Sequence, residues 1–287
     1  MISREIEFHA PASLREALDL LASDGEDLTV LSGGMSLLPM MNLGIVRPDK
    51  VLSLNHAGEL ARVAERDGEI AIGGMVRHAT LAADPLIRRH APLLAAAAKV
   101  IGDVQVRNRG TIGGSIAHAD PAADYLPALA ASGGSVELAS ARGVRRLDLD
   151  EFFIDLMFTS REPDEIVTGV TVPKLREGWR TAFKRLVRVE GSFAIVNAAA
   201  VVAGDGSSAA VALGGIGPKP VLLDVSEQLR GGVDDAALAA VGEIVYEAGR
   251  DATGDLMSDA DYRREMASVF AKRALREAAG QPVAAGS

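Results

Sequence analysis

The sequence of 287 residues contains no cysteine. This absence excludes disulfide bonds, thiolate catalysis, cysteine-ligated zinc and cysteine-ligated iron–sulfur clusters in this chain. Aromatic residues are also scarce, at 4% of the chain with a single tryptophan. Such a low content argues against a surface that binds single-stranded nucleic acid by stacking on its bases. The formal net charge of −9 further argues against broad nucleic-acid binding. A nucleic-acid partner is therefore not expected.

Long apolar runs are missing as well. The longest run of low polarity, Ala194–Ala203, is too short to cross a bilayer and contains Asn197. The first residues, MISREIEFHAPAS, have no apolar segment of the kind found in secretory signals. We therefore expect a cytoplasmic protein without a membrane span.

Familiar catalytic motifs are absent from the sequence. There is no G-x-x-x-x-G-K-[ST] of P-loop ATPases, no G-x-S-x-G of serine hydrolases and no H-E-x-x-H of zinc proteases. His118, Asp120 and Asp124 could be grouped as a metal cluster. However, Asp120 precedes a proline, which is typical of a turn, and Asp124 is placed to cap a helix. We expect neither a metal site nor a catalytic residue in this chain.

Two glycine-rich stretches flanked by hydroxyl residues stand out. The first is Ser32–Pro39, SGGMSLLP, and the second lies within Val106–Leu129 and contains TIGGS. Glycine lacks a Cβ and can take positive φ, so a ligand can approach its amide closely. Consecutive amides in such a turn form a concave site for anions, and serine and threonine hydroxyls add donors. Both stretches thus favour binding of an anion such as a diphosphate.

Each stretch also contains signals for the start of a helix. Ser36 could cap a helix with Pro39 in its first turn, and Asp124 could cap another with Pro127 in its first turn. A helix N-terminus carries a partial positive charge that would favour the same anion. Glycine pairs are common in this chain, however, and a pair alone is more typical of a simple turn. The residues alone leave both interpretations open.

The two stretches resemble the flavin-binding loops of the FAD-binding medium subunit of molybdenum hydroxylases, the family of carbon monoxide dehydrogenase, quinoline oxidoreductase and xanthine dehydrogenase. The family pattern A-G-G-H-S-L-x-P is similar to Ser32–Pro39. The patterns R-x-x-G-T-I/L-G-G-N/S and A-x-x-D-P-x-x-D-x-P are similar to Arg107–Ser115 and Ala117–Pro127. The resemblance covers nearly the whole chain, from Phe8–Leu18 to Asp255–Met266.

The resemblance implies an FAD site. The residues that it places at the FAD diphosphate come from both stretches: Ser32, Gly33, Gly34, Met35, Ser36, Thr111, Ile112, Gly113, Gly114 and Ser115. It implies that Asp124 supports the sugar or ribityl hydroxyls, and it places Phe193 near the flavin ring. The sequence departs from the family at Met35, where His or Gln is frequent, and at Ser115, where Asn is common. Either change removes or shortens a side-chain donor.

The resemblance also implies a function and partners. The chain would be an oxidoreductase subunit that binds FAD and passes electrons to a quinone, NAD, oxygen or another acceptor. The electrons would come from a small partner subunit with two [2Fe–2S] clusters, and substrate hydroxylation would occur on a large subunit with a molybdenum cofactor. The family suggests a dimer of heterotrimers. Two alternatives are a free-standing FAD-dependent oxidase or reductase and a non-catalytic nucleotide-binding module.

The expected architecture is α+β. The resemblance implies a two-subdomain FAD-binding fold of the vanillyl-alcohol oxidase (PCMH) type, with subdomains at residues 1–56 and 57–175. A C-terminal domain at residues 176–287 is predicted to contain a three-stranded antiparallel sheet packed on helices. Apolar runs and turn signals predict a strand at Leu28–Leu31, just before the first glycine stretch. Residues Thr80–Ile101 are predicted to be helical in pieces, broken at Pro85 and Pro92.

Overall fold

The N-terminal part of the protein is a small α/β unit in the computed structural model, which describes residues 5–24 and 27–281. Its three parallel strands are β1 (Glu7–His9), β2 (Leu28–Leu31) and β3 (Lys50–Ser53), and β3 lies between the other two. Its helices are α1 (Leu14–Asp24) and α2 (Leu37–Asn42). Helix α1 begins where the amide of Glu16 donates to Ser13 Oγ at 3.2 Å. The buried residues on its apolar face are Ala17, Leu18 and Leu21.

The second unit contains seven strands between residues 63 and 173. They are β4 (Val63–Arg66), β5 (Glu69–Gly73), β6 (Ser135–Ser140), β7 (Gly143–Asp148), β8 (Phe153–Asp155), β9 (Phe158–Thr159) and β10 (Ile166–Pro173). Five of them form an antiparallel sheet in the order β4, β5, β10, β6, β7, and β8 pairs with β9 in a separate hairpin. The long strand β10 is therefore the centre of this sheet.

Seven helices belong to the second unit: α3 (His78–Ala83), α4 (Pro85–His90), α5 (Pro92–Val100), α6 (Val104–Arg109), α7 (Ile112–His118), α8 (Tyr125–Ala131) and α9 (Leu149–Phe152). Pro85 and Pro92 open α4 and α5, because a first helical position needs no amide for an intrahelical bond. Asp84 caps α4 by accepting from the amide of Leu86 at 2.8 Å. The predicted breaks at the two prolines are confirmed.

The C-terminal unit has a four-stranded antiparallel sheet covered by helices. The strands follow chain order across the sheet and are β11 (Arg180–Leu186), β12 (Val196–Val202), β13 (Ala209–Gly214) and β14 (Val221–Asp224). The helices are α10 (Ser226–Leu229), α11 (Asp235–Ala248) and α12 (Ala260–Ala278). Helix α12 packs on β12 and on α11.

The prediction of three strands in this sheet was wrong by one edge strand. β14 is only four residues long, starts directly after Pro220 and alternates between half-buried and exposed positions. Four residues between a proline and a helix carry too little periodicity to predict a strand. Pairing with β13, from Ala210 opposite Asp224 to Leu213 opposite Val221, determines that the segment is a strand.

Among the described residues, buried side chains form three clusters, one in each of the three units. The cluster of the N-terminal unit also includes Ala139 and Ile166 from the second unit, and the cluster of the second unit includes Ala199 from β12. Neighbouring units therefore share core residues. The domain limits at residues 56 and 175 stay predictions. Within the described residues, no helix is both long and apolar enough to cross a membrane.

Candidate cofactor site

A cavity of about 720 Å³ lies where the three units meet. The first unit contributes the segment after β2, the second unit contributes the start of α7, and the third contributes Gly191, Ser192 and Phe193. A volume of this size is typical of a pocket for a small molecule or cofactor. Ten of the eleven predicted site residues line the cavity: Ser32, Gly33, Gly34, Met35, Ser36, Thr111, Gly113, Gly114, Ser115 and Asp124.

The first glycine loop, residues 32–36, connects β2 to α2. Gly34 has a φ of +78°, which favours glycine over other residues. A Cβ on Gly33 would lie 2.3 Å from the carbonyl oxygen of Arg109, so a larger residue could not pack there without a shift. The amides of residues 33–36 donate no hydrogen bond to any described part of the protein. The loop therefore offers four consecutive donors along the cavity.

The second glycine loop, residues 111–115, forms the first turn of α7. Thr111 caps this helix, because its Oγ1 accepts from the amide of Gly114 at 3.1 Å. The amides of Ile112 and Gly113 donate to carbonyls of the segment after β5. A Cβ on Gly113 would lie 2.7 Å from Gly74 Cα, so glycine is needed here for close packing of two backbones. The expected open turn of free amides is therefore wrong for this loop.

Ile112 is the predicted site residue that does not line the cavity. Its side chain is fully buried in the core of the second unit, which excludes a contact between that side chain and a ligand in the cavity. The predicted caps also differ from the structure. Ser36 and Asp124 precede α2 and α8, but neither side chain accepts a hydrogen bond from its helix. Thr111, which also lines the cavity, caps α7 with its side chain.

Asp124 reaches the cavity from the start of α8, but its carboxylate is bound by the C-terminal unit. Arg185 donates to Oδ2 at 2.7 Å, and the Asn197 amide donates to Oδ1 at 3.1 Å. Burial raises the pKa of Asp124 to about 6, although the Arg185 charge and the Asn197 hydrogen bond lower it. At neutral pH the ionised carboxylate thus joins α8 to β11 and β12. The sequence analysis missed both partners; Asn197, a polar residue in an apolar run, was the available signal.

His78 and Tyr125 form a buried pair behind the second glycine loop. His78 Nδ1 lies 2.9 Å from the Tyr125 hydroxyl. A Cβ on Gly110 would lie 2.5 Å from His78 Nε2, so the imidazole packs directly against the backbone that leads into α7. Burial lowers the pKa of His78 to about 4, and the charges of Arg77 and Arg107 add to this effect. The imidazole is therefore neutral at pH 7 and supports the loop.

Two protein-family models match consecutive parts of this chain. Residues 4–175 match the FAD binding domain in molybdopterin dehydrogenase, and residues 181–278 match the CO dehydrogenase flavoprotein C-terminal domain. The chain belongs to the family of FAD-binding medium subunits of molybdenum hydroxylases. The resemblance inferred from the two glycine stretches is confirmed.

Individual relatives support this family over the whole length of the chain. The nicotine 6-hydroxylase medium subunit of Paenarthrobacter nicotinovorans is 34% identical, over 95% of this chain and 97% of that protein. The carbon monoxide dehydrogenase medium chain of Hydrogenophaga pseudoflava is 36% identical, over 97% of this chain and 98% of that one.

Solved structures of the family have the same fold. A carbon monoxide dehydrogenase structure from H. pseudoflava superimposes with a TM-score of 0.90 and 34% identity, over 99% of this chain and 100% of that chain. Quinoline 2-oxidoreductase from Pseudomonas putida 86 gives a TM-score of 0.88 and 30% identity, over 98% and 99%. The predicted fold, an FAD-binding domain followed by a C-terminal domain, is confirmed, and the chain is a flavoprotein subunit of an oxidoreductase family.

Proposed function

We propose that the cavity holds FAD, with the diphosphate between the two glycine loops. The observation that carries this placement is the row of four amides at residues 33–36, which donate to no described residue and lie beside the hydroxyls of Ser32 and Thr111. These groups are suited to the negative charge of a diphosphate because they are donors on a rigid backbone. A Cβ on Gly114 would lie within 3.0 Å of Thr111 Oγ1 and 3.4 Å of Ser32 Cβ, so the absent side chain leaves space between the loops.

The remaining site residues have assigned roles in the same proposal. Ser115 lines the cavity one residue after Gly114 and contributes a hydroxyl. Met35 contributes its amide, since its thioether cannot replace the donor of a His or Gln. Asp124 contributes to the sugar end of the site while it stays bound to Arg185. Phe193 lines the cavity, and the proposal assigns it to the end that holds the flavin ring.

We infer that the chain works as an electron-transfer subunit. Bound FAD supplies an electron carrier that exchanges electrons singly or in pairs. This chain binds and orients FAD and has no cysteine to ligate an iron–sulfur cluster. Membership of the family implies that a small subunit with [2Fe–2S] clusters supplies the electrons and that a large subunit with a molybdenum cofactor hydroxylates the substrate. The chain would then pass electrons to an external acceptor.

The assembly proposed for the complete enzyme is a dimer of heterotrimers in the cytoplasm. Relatives are the medium subunits of a nicotine 6-hydroxylase and of a carbon monoxide dehydrogenase, and the subunit beta of a caffeine dehydrogenase. This variety fits a division of labour in which the large subunit selects the substrate and the medium chain keeps a common flavin site. In this proposal the large partner subunit, and not this chain, determines the class of substrate.

A visible absorption spectrum of the purified chain with added FAD, followed by dithionite, tests the proposal. We expect a flavin spectrum that bleaches on reduction, and FAD at a hundredfold excess over Kd should stabilise the chain by about 2.7 kcal/mol. Absence of both effects, in the chain and in its coexpressed complex, would favour a non-catalytic module. Turnover of an organic substrate by the isolated chain would favour a free-standing oxidase or reductase.

A further inference from the structure

Arg185 lies at the point where the C-terminal unit meets the cavity. It belongs to β11, and its side chain is 10% exposed. One guanidinium nitrogen, Nη1, donates to the carbonyl of Val100 at 2.6 Å and to Asp124 Oδ2 at 2.7 Å. The other, Nη2, donates to the carbonyl of Ser192. A single guanidinium thus joins the end of α5, the start of α8 and the segment between β11 and β12.

That segment, residues 187–195, is called the rim loop here. Its base is closed by a hydrogen bond from the amide of Ile195 to the carbonyl of Leu186 at 2.7 Å. Gly191, at its tip, packs close to the backbone of Gly102 and Asp103. The residues of the rim loop that line the cavity are Gly191, Ser192 and Phe193. Phe193 is also 56% exposed, so the loop forms the edge of the cavity at the protein surface.

The described side chains of the rim loop do not fasten it to the cavity wall. The hydroxyl of Ser192 donates to carbonyls of Val189 and Phe193 within the loop itself. Arg188, Val189 and Glu190 are exposed. Among the described residues, the loop is therefore connected to the second unit through Arg185, which donates to the Ser192 carbonyl and also to Val100 and Asp124. Arginine can make these contacts because its two Nη groups donate to acceptors on different segments at the same time, whereas lysine has a single ammonium group.

We propose that Arg185 is a positioning residue that holds the rim loop against the cavity and so restricts solvent access to the bound cofactor. The part of this inference that concerns the cofactor rests on the proposed FAD site. The part that concerns the loop rests only on the contacts of Arg185. Asp124 is the counterion that makes the buried guanidinium tolerable, and Asn197 holds that carboxylate in place.

Limited trypsin digestion of the full chain tests the loop without any cofactor. Arg185→Gln removes the guanidinium, and cleavage after the exposed Arg188 should become about tenfold faster, because hydrogen bonds to a charged group are lost. Lys184→Gln is the matched control: it lies on the same strand, loses one trypsin site as well, and pairs with Glu277 away from the cavity. Its cleavage after Arg188 should equal that of the wild type. Equal rates in the two variants would overturn the proposal.

Arg185→Lys covers the case in which Arg185→Gln does not fold. It keeps a positive charge for Asp124 but loses Nη2, the nitrogen that donates to the Ser192 carbonyl. Cleavage after Arg188 should therefore be intermediate between the wild type and the Gln variant. If circular dichroism shows that the Lys variant is folded and its cleavage rate after Arg188 equals that of the wild type, the role assigned to the Nη2 hydrogen bond to Ser192 is overturned.

Iodide quenching of flavin fluorescence tests the cofactor part. In chains loaded with FAD, the Stern–Volmer constant should rise in Arg185→Gln and stay at the wild-type value in Lys184→Gln. An unchanged constant in Arg185→Gln would overturn the shielding role. If the wild-type chain and its complex bind no FAD, the proposed function fails, while the trypsin result still decides whether Arg185 holds the loop.

Discussion

Ser32 and Thr111, which are 79 residues apart in the chain, place their hydroxyl oxygens 2.6 Å from each other. Ser32 Oγ also lies 3.0 Å from the sulfur of Met75, and Thr111 Oγ1 accepts from the amide of Gly114. These contacts connect the first glycine loop to the first turn of α7. The proposed diphosphate site depends on this link, because it sets the distance between the free amides of one loop and the helix start of the other.

Thr111→Val should lower both the stability of the folded protein and its affinity for FAD. The variant keeps the shape of the side chain but leaves the amide of Gly114 without its cap, which should lower the free energy of unfolding by about 1–2 kcal/mol. The link to Ser32 is lost as well, so FAD should bind more weakly. Chemical denaturation and an FAD titration measure the two effects.

Asp234→Ala provides a matched control for the lost cap. Asp234 caps α11 by accepting from the amide of Ala237 at 2.8 Å and does not line the cavity. Its replacement should cost about 1 kcal/mol of stability and leave FAD affinity unchanged. A similar loss of affinity in both variants would show that FAD binding responds only to stability.

Gly114→Val should abolish FAD binding. The branched side chain would lie between Thr111 Oγ1 and Ser32 Cβ, in the space assigned to the diphosphate. Gly231→Val is the control, because a Cβ on Gly231 has no described atom within 4 Å. Visible absorption after loading with FAD distinguishes the two. Retention of FAD by the Gly114 variant would place the diphosphate elsewhere.

His78 should make stability depend on pH. Burial lowers its pKa in the folded protein from the ordinary value of 6.5 to about 4, so the unfolded chain binds the proton more readily between these values. The contribution of the neutral imidazole is therefore present above pH 6.5 and is lost as the pH falls towards 4, by about 3 kcal/mol in all.

The comparison of wild type with His78→Gln isolates this effect. The stability advantage of the wild type should be largest at pH 7 and should shrink as the pH falls to 4 in urea denaturation. The raised pKa of Asp124 favours the folded state as the pH falls below about 6. Asp124 is present in both proteins, so its contribution cancels in the difference between their stabilities. An advantage that stays constant from pH 7 to pH 4 would contradict the buried neutral state.

Arg263→Ala should destabilise the C-terminal unit by about 3 kcal/mol, since a buried charged donor is lost from carbonyls that remain buried. Arg263 is 6% exposed and donates to the carbonyls of Ile195 and Gly215. Arg276→Ala on the same helix is the control. Its partner Asp235 is 94% exposed, so that loss should be about 1 kcal/mol or less by thermal or urea denaturation. Equal losses would contradict the difference assigned to burial.

Local sequence signals predicted most elements because their causes are local. Proline at the first helical position predicted the breaks before α4 and α5, and the apolar run Leu28–Leu31 predicted β2. The same signals failed where long-range pairing decides the structure. Strand β14 exists through its pairing with β13, and Asp124 is bound by residues about 60 and 70 positions away in sequence instead of capping its helix.

The sequence by itself determined the family and the positions of both glycine loops, because the motifs are contiguous and a missing Cβ has the same effect in any fold. It also determined that no cysteine-ligated cluster can form in this chain. Only the tertiary structure decided which amides are free. Those of residues 33–36 donate to no residue that the structure describes, whereas those of Ile112 and Gly113 donate to the segment after β5. The position of Arg185 beside Asp124 was likewise decided by packing of the C-terminal sheet on α8, because contacts between distant segments leave no fixed spacing in the sequence.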